Sequence, residues 1–401
     1  MGNFHRQVIQ HVNIKLKALT KSVVSNKTVL LRVDFNVPIF NGRIVDDSKI
    51  VASLPTILWL KENGAKTILC SHLGRPDGQR RRTLTVEKIR LYLESLIKVP
   101  IVKGYGPTGT KTVNIIKRMG PSELCLLENV RFDKGEETND DSFARNLSDH
   151  IDVYINDAFG TTHRAHASIE AITKYLPAYP GFLMQKEIKS LNEVITTPKK
   201  PFVAILGGAK IADKIRVIEN LSVLCDSILI GGGMITAFLI ASKKMISSTL
   251  IEKKEVNIAT RILKSCQNIE LPTDVITSKT ISQASIGTLK SDNDLASDDL
   301  IVDIGPKTIE RYKMIIGRSN TILWNGPLGI YEYPNFSNGS YEIGKSIARS
   351  KAATVAGGGS TADLINKANL VERFTHVSTG GGATLKFLEG ESLPGIVALE
   401  R

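Results

Sequence analysis

The sequence predicts an α/β fold: two doubly wound, parallel-sheet (Rossmann-like) domains, one per half, joined by a helical hinge. Three observations carry that prediction. Apolar runs of strand length recur through all 401 residues, as strands buried on both faces require. Amphipathic runs with helical spacing lie between them. In the second half, four of the apolar runs end in glycine clusters: Gly207-Gly208, Gly231-Gly232-Gly233, Gly357-Gly358-Gly359 and Gly380-Gly381-Gly382.

In chain order, the first half offers strands at 29–33, 67–70, 124–127 and 153–155, and the second at 202–206, 228–230, 321–324, 353–356 and 376–378. Ile50, Leu54, Ile57 and Leu58 share one helical face, as do Ile211, Ile215, Ile218 and Leu221, and Ile309, Tyr312 and Ile315. Pro and Gly at 177–181 punctuate the pattern, and a helix over 182–195 ends before Pro198. The domains therefore read as 1–180 and 181–390, with the connecting helix in the second. The acidic stretch 292–303 reads as a solvated loop.

Composition excludes several functions. Hydrophobic residues at 42% suffice for real cores, and no stretch approaches the roughly 18 apolar residues of a membrane span. The polar N-terminus has no apolar signal region, and Arg6 stands where an N-myristoylation signal needs Ser or Thr. The four cysteines are single, without zinc or redox spacing, and read as buried thiols of a reducing compartment, the cytoplasm. A formal charge of +12 would suit a nucleic-acid binder, but aromatics are only 6% and lysines alternate with acids. A field drawing in anionic metabolites explains the surplus as well. Arg80-Arg81-Arg82, after Pro76-Asp77-Gly78, reads as a solvated loop.

The two halves hold phosphate in different ways. Glycines at a helix start let backbone amides approach an anion. One such cluster is as easily explained by packing; four in one domain point to a polyphosphate. No Gly-x-x-x-x-Gly-Lys-[Ser/Thr] and no Gly-x-Gly-x-x-Gly after a strand is present, which excludes a Walker site and weakens a dinucleotide site. Lys210 and Lys214 follow the first cluster at a spacing that places them on one helical face, where lysine opposes the helix dipole unless an anion is bound. The first half offers cationic strand ends: Asp34-Phe-Asn36, His72-Leu-Gly-Arg75, Arg131 and His163-Arg164-Ala-His166. Any single arginine reads as a surface salt bridge, whereas three on separate loops suggest a cradle for a small anion.

Ordered segments then carry a family resemblance over nearly the whole chain. They are Arg32-Val-Asp-Phe-Asn-Val-Pro38, Ser71-His-Leu-Gly-Arg-Pro76, Leu127-Glu-Asn-Val-Arg-Phe132, Asn156-Asp-Ala-Phe159 and His163-Arg-Ala-His166. Gly181-Phe-Leu-Met184, Leu206-Gly-Gly-Ala-Lys-Ile-Ala-Asp-Lys214, Trp324-Asn-Gly-Pro-Leu-Gly329, Val377-Ser-Thr-Gly-Gly-Gly-Ala383 and Leu393-Pro-Gly395 follow. The chain resembles the phosphoglycerate kinases, with about a dozen extra residues at its start. The resemblance implies 3-phosphoglycerate contacts at Asp34, Asn36, His72, Arg75, Arg131 and Arg164. It implies nucleotide contacts at Gly207, Gly208, Lys210, Lys214, Gly231, Gly232, Asn325, Glu332 (to the ribose), Gly358, Gly359, Ser360 and Thr361. Lys49, Lys210, Lys214, Gly381 and Gly382 would act on the moving phosphoryl group. Mg²⁺ and ATP or ADP are the implied cofactor and co-substrate, and the C-terminal tail, 391–401, would return to the first domain.

Two residues depart from the family pattern. Lys49 stands where an Arg is usual and keeps charge without the planar fork. Ser360 stands where an Asp usually helps to hold magnesium, and is a weak metal candidate. The expected activity is in-line phosphoryl transfer between 1,3-bisphosphoglycerate and ADP on domain closure, by a cytoplasmic monomer without nucleic-acid or membrane partners. The rivals are a weakened homologue serving as a binding or interaction protein, and a nicotinamide-dependent oxidoreductase.

Overall fold

The computed structural model describes residues 14–244 and 251–401; the extra segment at the chain start lies outside them. The chain divides into two compact units, residues 14–189 with Ser392–Arg401, and Ser190–Glu391.

The first unit is built on strands β1 (Thr28–Arg32), β4 (Lys66–Cys70), β5 (Ile101–Lys103), β6 (Leu124–Leu126), β7 (Val153–Asn156) and β8 (Ala178–Pro180), with a small hairpin of β2 (Ile39–Phe40) and β3 (Arg43–Ile44). The six-stranded sheet runs β5-β6-β4-β1-β7-β8 and every pair is parallel. The four strands foreseen from apolar runs form its centre. The two missed are the edges, where a strand is short and half solvated (β5) or ends in proline (β8), so neither carries a long apolar run.

The second unit holds β9 (Phe202–Leu206), β10 (Ser227–Ile230), β11 (Ile269–Glu270), β15 (Thr321–Asn325), β16 (Ala353–Gly357) and β17 (His376–Val377), all parallel in the order β11-β10-β9-β15-β16-β17. A separate antiparallel sheet, β13-β12-β14, comprises β12 (Asp274–Ser278), β13 (Thr288–Ser291) and β14 (Leu300–Ile304). It corrects the reading of 292–303 as a solvated loop. Asp292, Asp299 and Asp303 are buried, and each carboxylate is bonded: Asp292 to Lys244 at 2.5 Å, Asp299 to Lys290 at 2.6 Å, and Asp303 to the Gly339 amide at 2.7 Å. Buried acids with distant partners look solvated in a sequence because the partners lie elsewhere in the chain.

Helix Ser48–Glu62 buries Ile50, Ile57 and Leu60, while Leu58, expected inside, is exposed. The division between units falls inside helix Phe182–Thr196, between Lys189 and Ser190, and not before the helix. Its first turns are tied to the first unit: the Phe182 amide donates to Thr56 Oγ1 (3.0 Å), the Met184 amide donates to Asp157 Oδ1 (3.0 Å), and the Phe182 ring meets Trp59 edge-on at 5.1 Å. The C-terminal helix Pro394–Glu400 belongs to the same unit, the Gly395 amide donating to the Thr162 carbonyl at 2.9 Å. Arg80, Arg81 and Arg82 are exposed, as expected. All four cysteines are free and buried, and burial pushes the Cys70 and Cys125 thiols up to about 12, leaving them inert.

Candidate functional site

In the first unit, the loops leaving the carboxyl ends of β1, β4, β6 and β7 carry the cationic signatures. Asp34, two residues beyond β1, is buried and accepts from Lys49 Nζ at 2.8 Å. Burial alone would raise its pKa, but the Lys49 charge prevails and holds it at about 2. The carboxylate is therefore permanently charged and fixes Lys49, which reaches it from the first turn of helix Ser48–Glu62. Asn36 is exposed, and its Oδ1 accepts from the Gly74 amide at 2.9 Å, tying the β1 loop to the His72–Arg75 turn. Arg131 is 3% exposed and donates to the Gly74 carbonyl at 2.8 Å, with Nε 3.3 Å from Glu137 but out of hydrogen-bonding alignment. Burial first, then the neighbouring Arg164 and Arg32 charges, bring its pKa down to about 10. Arg164 is half-buried and its Nε meets His163 at 3.2 Å. Arg75 is exposed and its guanidinium has no partner among the described residues. The cluster thus contains one carboxylate held by Lys49 and three guanidinium groups with spare donors. That is a surplus of directed positive charge suited to a small anion.

A residue missed in the sequence organises this cluster. Asn129 is fully buried; its Nδ2 donates to the carbonyls of Leu73 (2.7 Å) and Leu84 (3.0 Å), and its Oδ1 accepts from the amides of Leu73 (3.2 Å) and Arg131 (3.1 Å). One amide thereby staples the His72–Arg75 turn to the Arg131 turn. Its only signal was its place within Leu127-Glu-Asn-Val-Arg-Phe132, next to a noted arginine. Asn129→Ala strands three buried backbone groups and one part-buried carbonyl, and is expected to cost about 2–4 kcal/mol of stability, read by urea unfolding of the full chain. A loss below about 0.5 kcal/mol would mean that the turns hold without the staple.

In the second unit, the glycine clusters fall where expected, after β9, β10, β16 and β17, at one end of the sheet. They are not equivalent. A Cβ on Gly207 would lie 1.9 Å from the Pro327 carbonyl oxygen, so this glycine serves the crossing of two backbone segments. Gly381, with φ +52°, has nothing within 4 Å of a Cβ position, as has Gly359. Space is therefore open beside the backbone at both positions.

Lys210 and Lys214 do not share the first turns of an α-helix. Lys210 is extended and exposed, Ile211–Lys214 is a 3₁₀ turn, and the α-helix begins at Ile215. The separation places Lys214 apart: its Nζ donates to Asn325 Oδ1, and burial lowers its pKa to about 8. Asn325 is buried and its Nδ2 donates to the Gly357 carbonyl at 2.8 Å. Thr361 is buried too, its Oγ1 accepting from the Gly326 amide at 2.7 Å. Asn325 thereby joins the ends of β15 and β16, and Thr361 joins helix Gly359–Lys367 to the loop after β15. Glu332 and Ser360 are exposed, and Ser360 opens the first turn of helix Gly359–Lys367. One turn on, Asp363 accepts from Tyr331 Oη and pairs with Lys367, each at 2.8 Å. No group of three or more His, Cys, Asp or Glu able to hold a metal occurs among the described residues.

The chain as a whole has relatives among known proteins. A family model described as phosphoglycerate kinase matches residues 19–391. The phosphoglycerate kinase of Finegoldia magna is 44% identical over 390 residues, covering 96% of this chain and 99% of the relative. That of Thermomicrobium roseum is 43% identical over 380 residues, covering 94% and 97%. Among solved structures, phosphoglycerate kinase from Coxiella burnetii superposes with a TM-score of 0.85 at 35% identity, covering 96% of this chain and 99% of that one. On this evidence the chain belongs to the phosphoglycerate kinase family.

Proposed function

We propose that the chain transfers a phosphoryl group reversibly between 1,3-bisphosphoglycerate and ADP, giving 3-phosphoglycerate and ATP, so that a carboxylate is the acceptor in the ATP-consuming direction. The observation that supports it most is the division of labour between sites. Asp34, Lys49, His72, Arg75, Arg131 and Arg164 form a side-chain cradle for a small anion, and the second unit offers glycine backbone with Lys214 for a polyphosphate. In the forward step an oxygen of the ADP β-phosphate attacks the acyl phosphorus and the P–O bond to the carboxylate breaks. The carboxylate leaves as an anion, so neither direction needs a general acid at neutral pH. The chain's residues therefore position and neutralise charge, which is most of what phosphoryl transfer demands. Arg131 and Arg164 bind the sugar acid, Glu332 accepts from the ribose, and the Gly381–Gly382 amides with Lys49, Lys210 and Lys214 stabilise the moving group.

Bound Mg²⁺ would neutralise the phosphate oxygens. Asp363 is engaged by Lys367 and Tyr331, and the exposed Ser360 hydroxyl, itself bonded to Tyr331, is a neutral oxygen at this helix start. Magnesium fits such a site because it keeps several waters and takes phosphate oxygens as ligands. Turnover is accordingly expected to need more free Mg²⁺ than in Ser360→Asp, and Lys49→Arg to turn over faster at saturating Mg²⁺. A coupled assay with 3-phosphoglycerate and Mg-ATP, titrated with magnesium for parent and variants, tests both. A parent that binds both ligands yet is inactive at every magnesium level overturns the reading. We take the working form to be a cytoplasmic monomer; no helix among the described residues is long and apolar enough to cross a membrane.

A further inference from the structure

Behind the cationic cluster of the first unit lies a wholly buried ion network that the proposed transfer does not use directly. Arg32, the last residue of β1, and Glu136 are both 0% exposed. Arg32 Nε donates to Ser168 Oγ at 2.7 Å, Nη1 donates to the Val33 carbonyl, and Nη2 lies 3.9 Å from Glu136 Oε1. Glu136 in turn accepts from the Ser168 amide (2.8 Å) and the Ser168 hydroxyl (2.7 Å), with His166 Nδ1 at 3.7 Å. The guanidinium is thus held from three sides before it meets any substrate residue. A buried cation so fixed is costly to desolvate, which raises the question of what its remaining donor does.

That donor, Nη2, lies 3.4 Å from Nδ1 of the buried His72. A guanidinium has no acceptor, so the contact is a hydrogen bond only if His72 Nδ1 is unprotonated. The competing partner, Asp34 Oδ1, is 3.9 Å from the same nitrogen, beyond hydrogen-bonding distance. His72 Nε2 has no hydrogen-bond partner among the described residues.

We infer that Arg32 is a positioning residue: through Nη2 it holds His72 as the neutral tautomer with its proton on Nε2, presenting one fixed donor to the anionic substrate. The inference rests on the assignment of His72 to the sugar-acid cradle. The surroundings agree with a neutral ring. Burial first, then Arg32, Arg131 and Lys49, lower the His72 pKa well below its ordinary value, with only Asp34 opposing; Glu136 and His166 face Arg32 from its far side. Positive charge for the substrate then comes from Lys49 and the arginines, and His72 contributes direction. Second-row partners that set which imidazole nitrogen carries the proton are a general device.

The test is the nitrogen spectrum of the full chain labelled with [¹⁵N]histidine, with His72 assigned by the signals lost in His72→Asn. The expected result is a pyridine-like Nδ1 and a pyrrole-like Nε2, unchanged from about pH 5.5 to about 8. An imidazolium, an Nδ1–H tautomer, or titration near the ordinary histidine value overturns the inference. The paired variant Arg32→Met with Glu136→Gln removes both buried charges together. It is expected to give His72 mixed tautomers and to raise KM for 3-phosphoglycerate about three- to tenfold, with kcat little changed, the range for one hydrogen bond. If KM rises while the His72 spectrum stays as in the parent, Arg32 does not act through His72. Should the pair fail to fold, the parent spectrum still decides. The spectrum also stands apart from the proposed reaction, whose failure would appear as absent turnover with the tautomer intact.

Discussion

Arg131→Ala is expected to lower kcat/KM for 3-phosphoglycerate about ten- to a hundredfold and to leave KM for ATP within about twofold. The magnitude follows from charge-assisted hydrogen bonds worth about 1.5–3 kcal/mol each. Two losses combine: the guanidinium's contact with the substrate, and its bond to the Gly74 carbonyl, which shapes the turn carrying His72 and Arg75. Arg131→Lys should recover only part of the loss, because an ammonium cannot hold the Gly74 carbonyl and an anion in one plane. Stability should fall less than activity, since Glu137, the ion-pair partner, is a third exposed and regains water. Steady-state kinetics with each substrate varied in turn decide the matter. A rise in KM for ATP with the sugar acid unaffected would show that the halves had been assigned to the wrong ligands.

Much of the fold was legible because its central strands are buried on both faces. The runs at 29–33, 67–70, 202–206 and 321–324 correspond to β1, β4, β9 and β15, all central in their sheets. The edge strands β5, β8 and β11 were missed because an edge needs neither length nor a continuous apolar run. The antiparallel sheet was missed for another reason: β13 is mostly exposed and β14 lies in an acidic stretch whose carboxylates find their lysines only in three dimensions. Site residues divide along the same line. Loop positions with distinctive local sequence, such as His72-Leu-Gly-Arg75 and the glycine clusters, stand at strand ends as read. Residues that act by holding others, Asn129 and Arg32 above all, lie within noted segments but carry no local sign of that role, because their partners are distant along the chain. For Asn325 and Thr361, named as nucleotide contacts from the resemblance, the structure adds side-chain bonds that join the segments at the ends of β15 and β16.

Lys214→Met is expected to lower kcat about 10²–10³-fold, the loss seen when one preorganised donor to a developing charge is removed. The structure explains why this lysine differs from a surface one. Burial holds its pKa near 8 instead of the ordinary 10.5, and its Nζ is aimed at Asn325. A depressed lysine pKa means that the folded chain binds fewer protons than the unfolded chain between about 8 and about 10.5, so this group makes ligand-free stability rise with pH across that window. Methionine removes a buried charge, so the variant should be as stable as the parent or more so at pH 7 while being nearly inactive. Nucleotide binding carries the opposite sign. A polyphosphate beside Lys214 stabilises the charged ammonium and raises its pKa. Affinity for ATP should therefore be flat below about pH 8, where the lysine is already protonated, and fall above it as binding must take up a proton. Titration calorimetry in two buffers of different ionisation enthalpy measures that uptake directly. The parent should take up a proton above about pH 8 and the variant should not. If both show the same uptake, some other group titrates and Lys214 is not the residue that meets the phosphates.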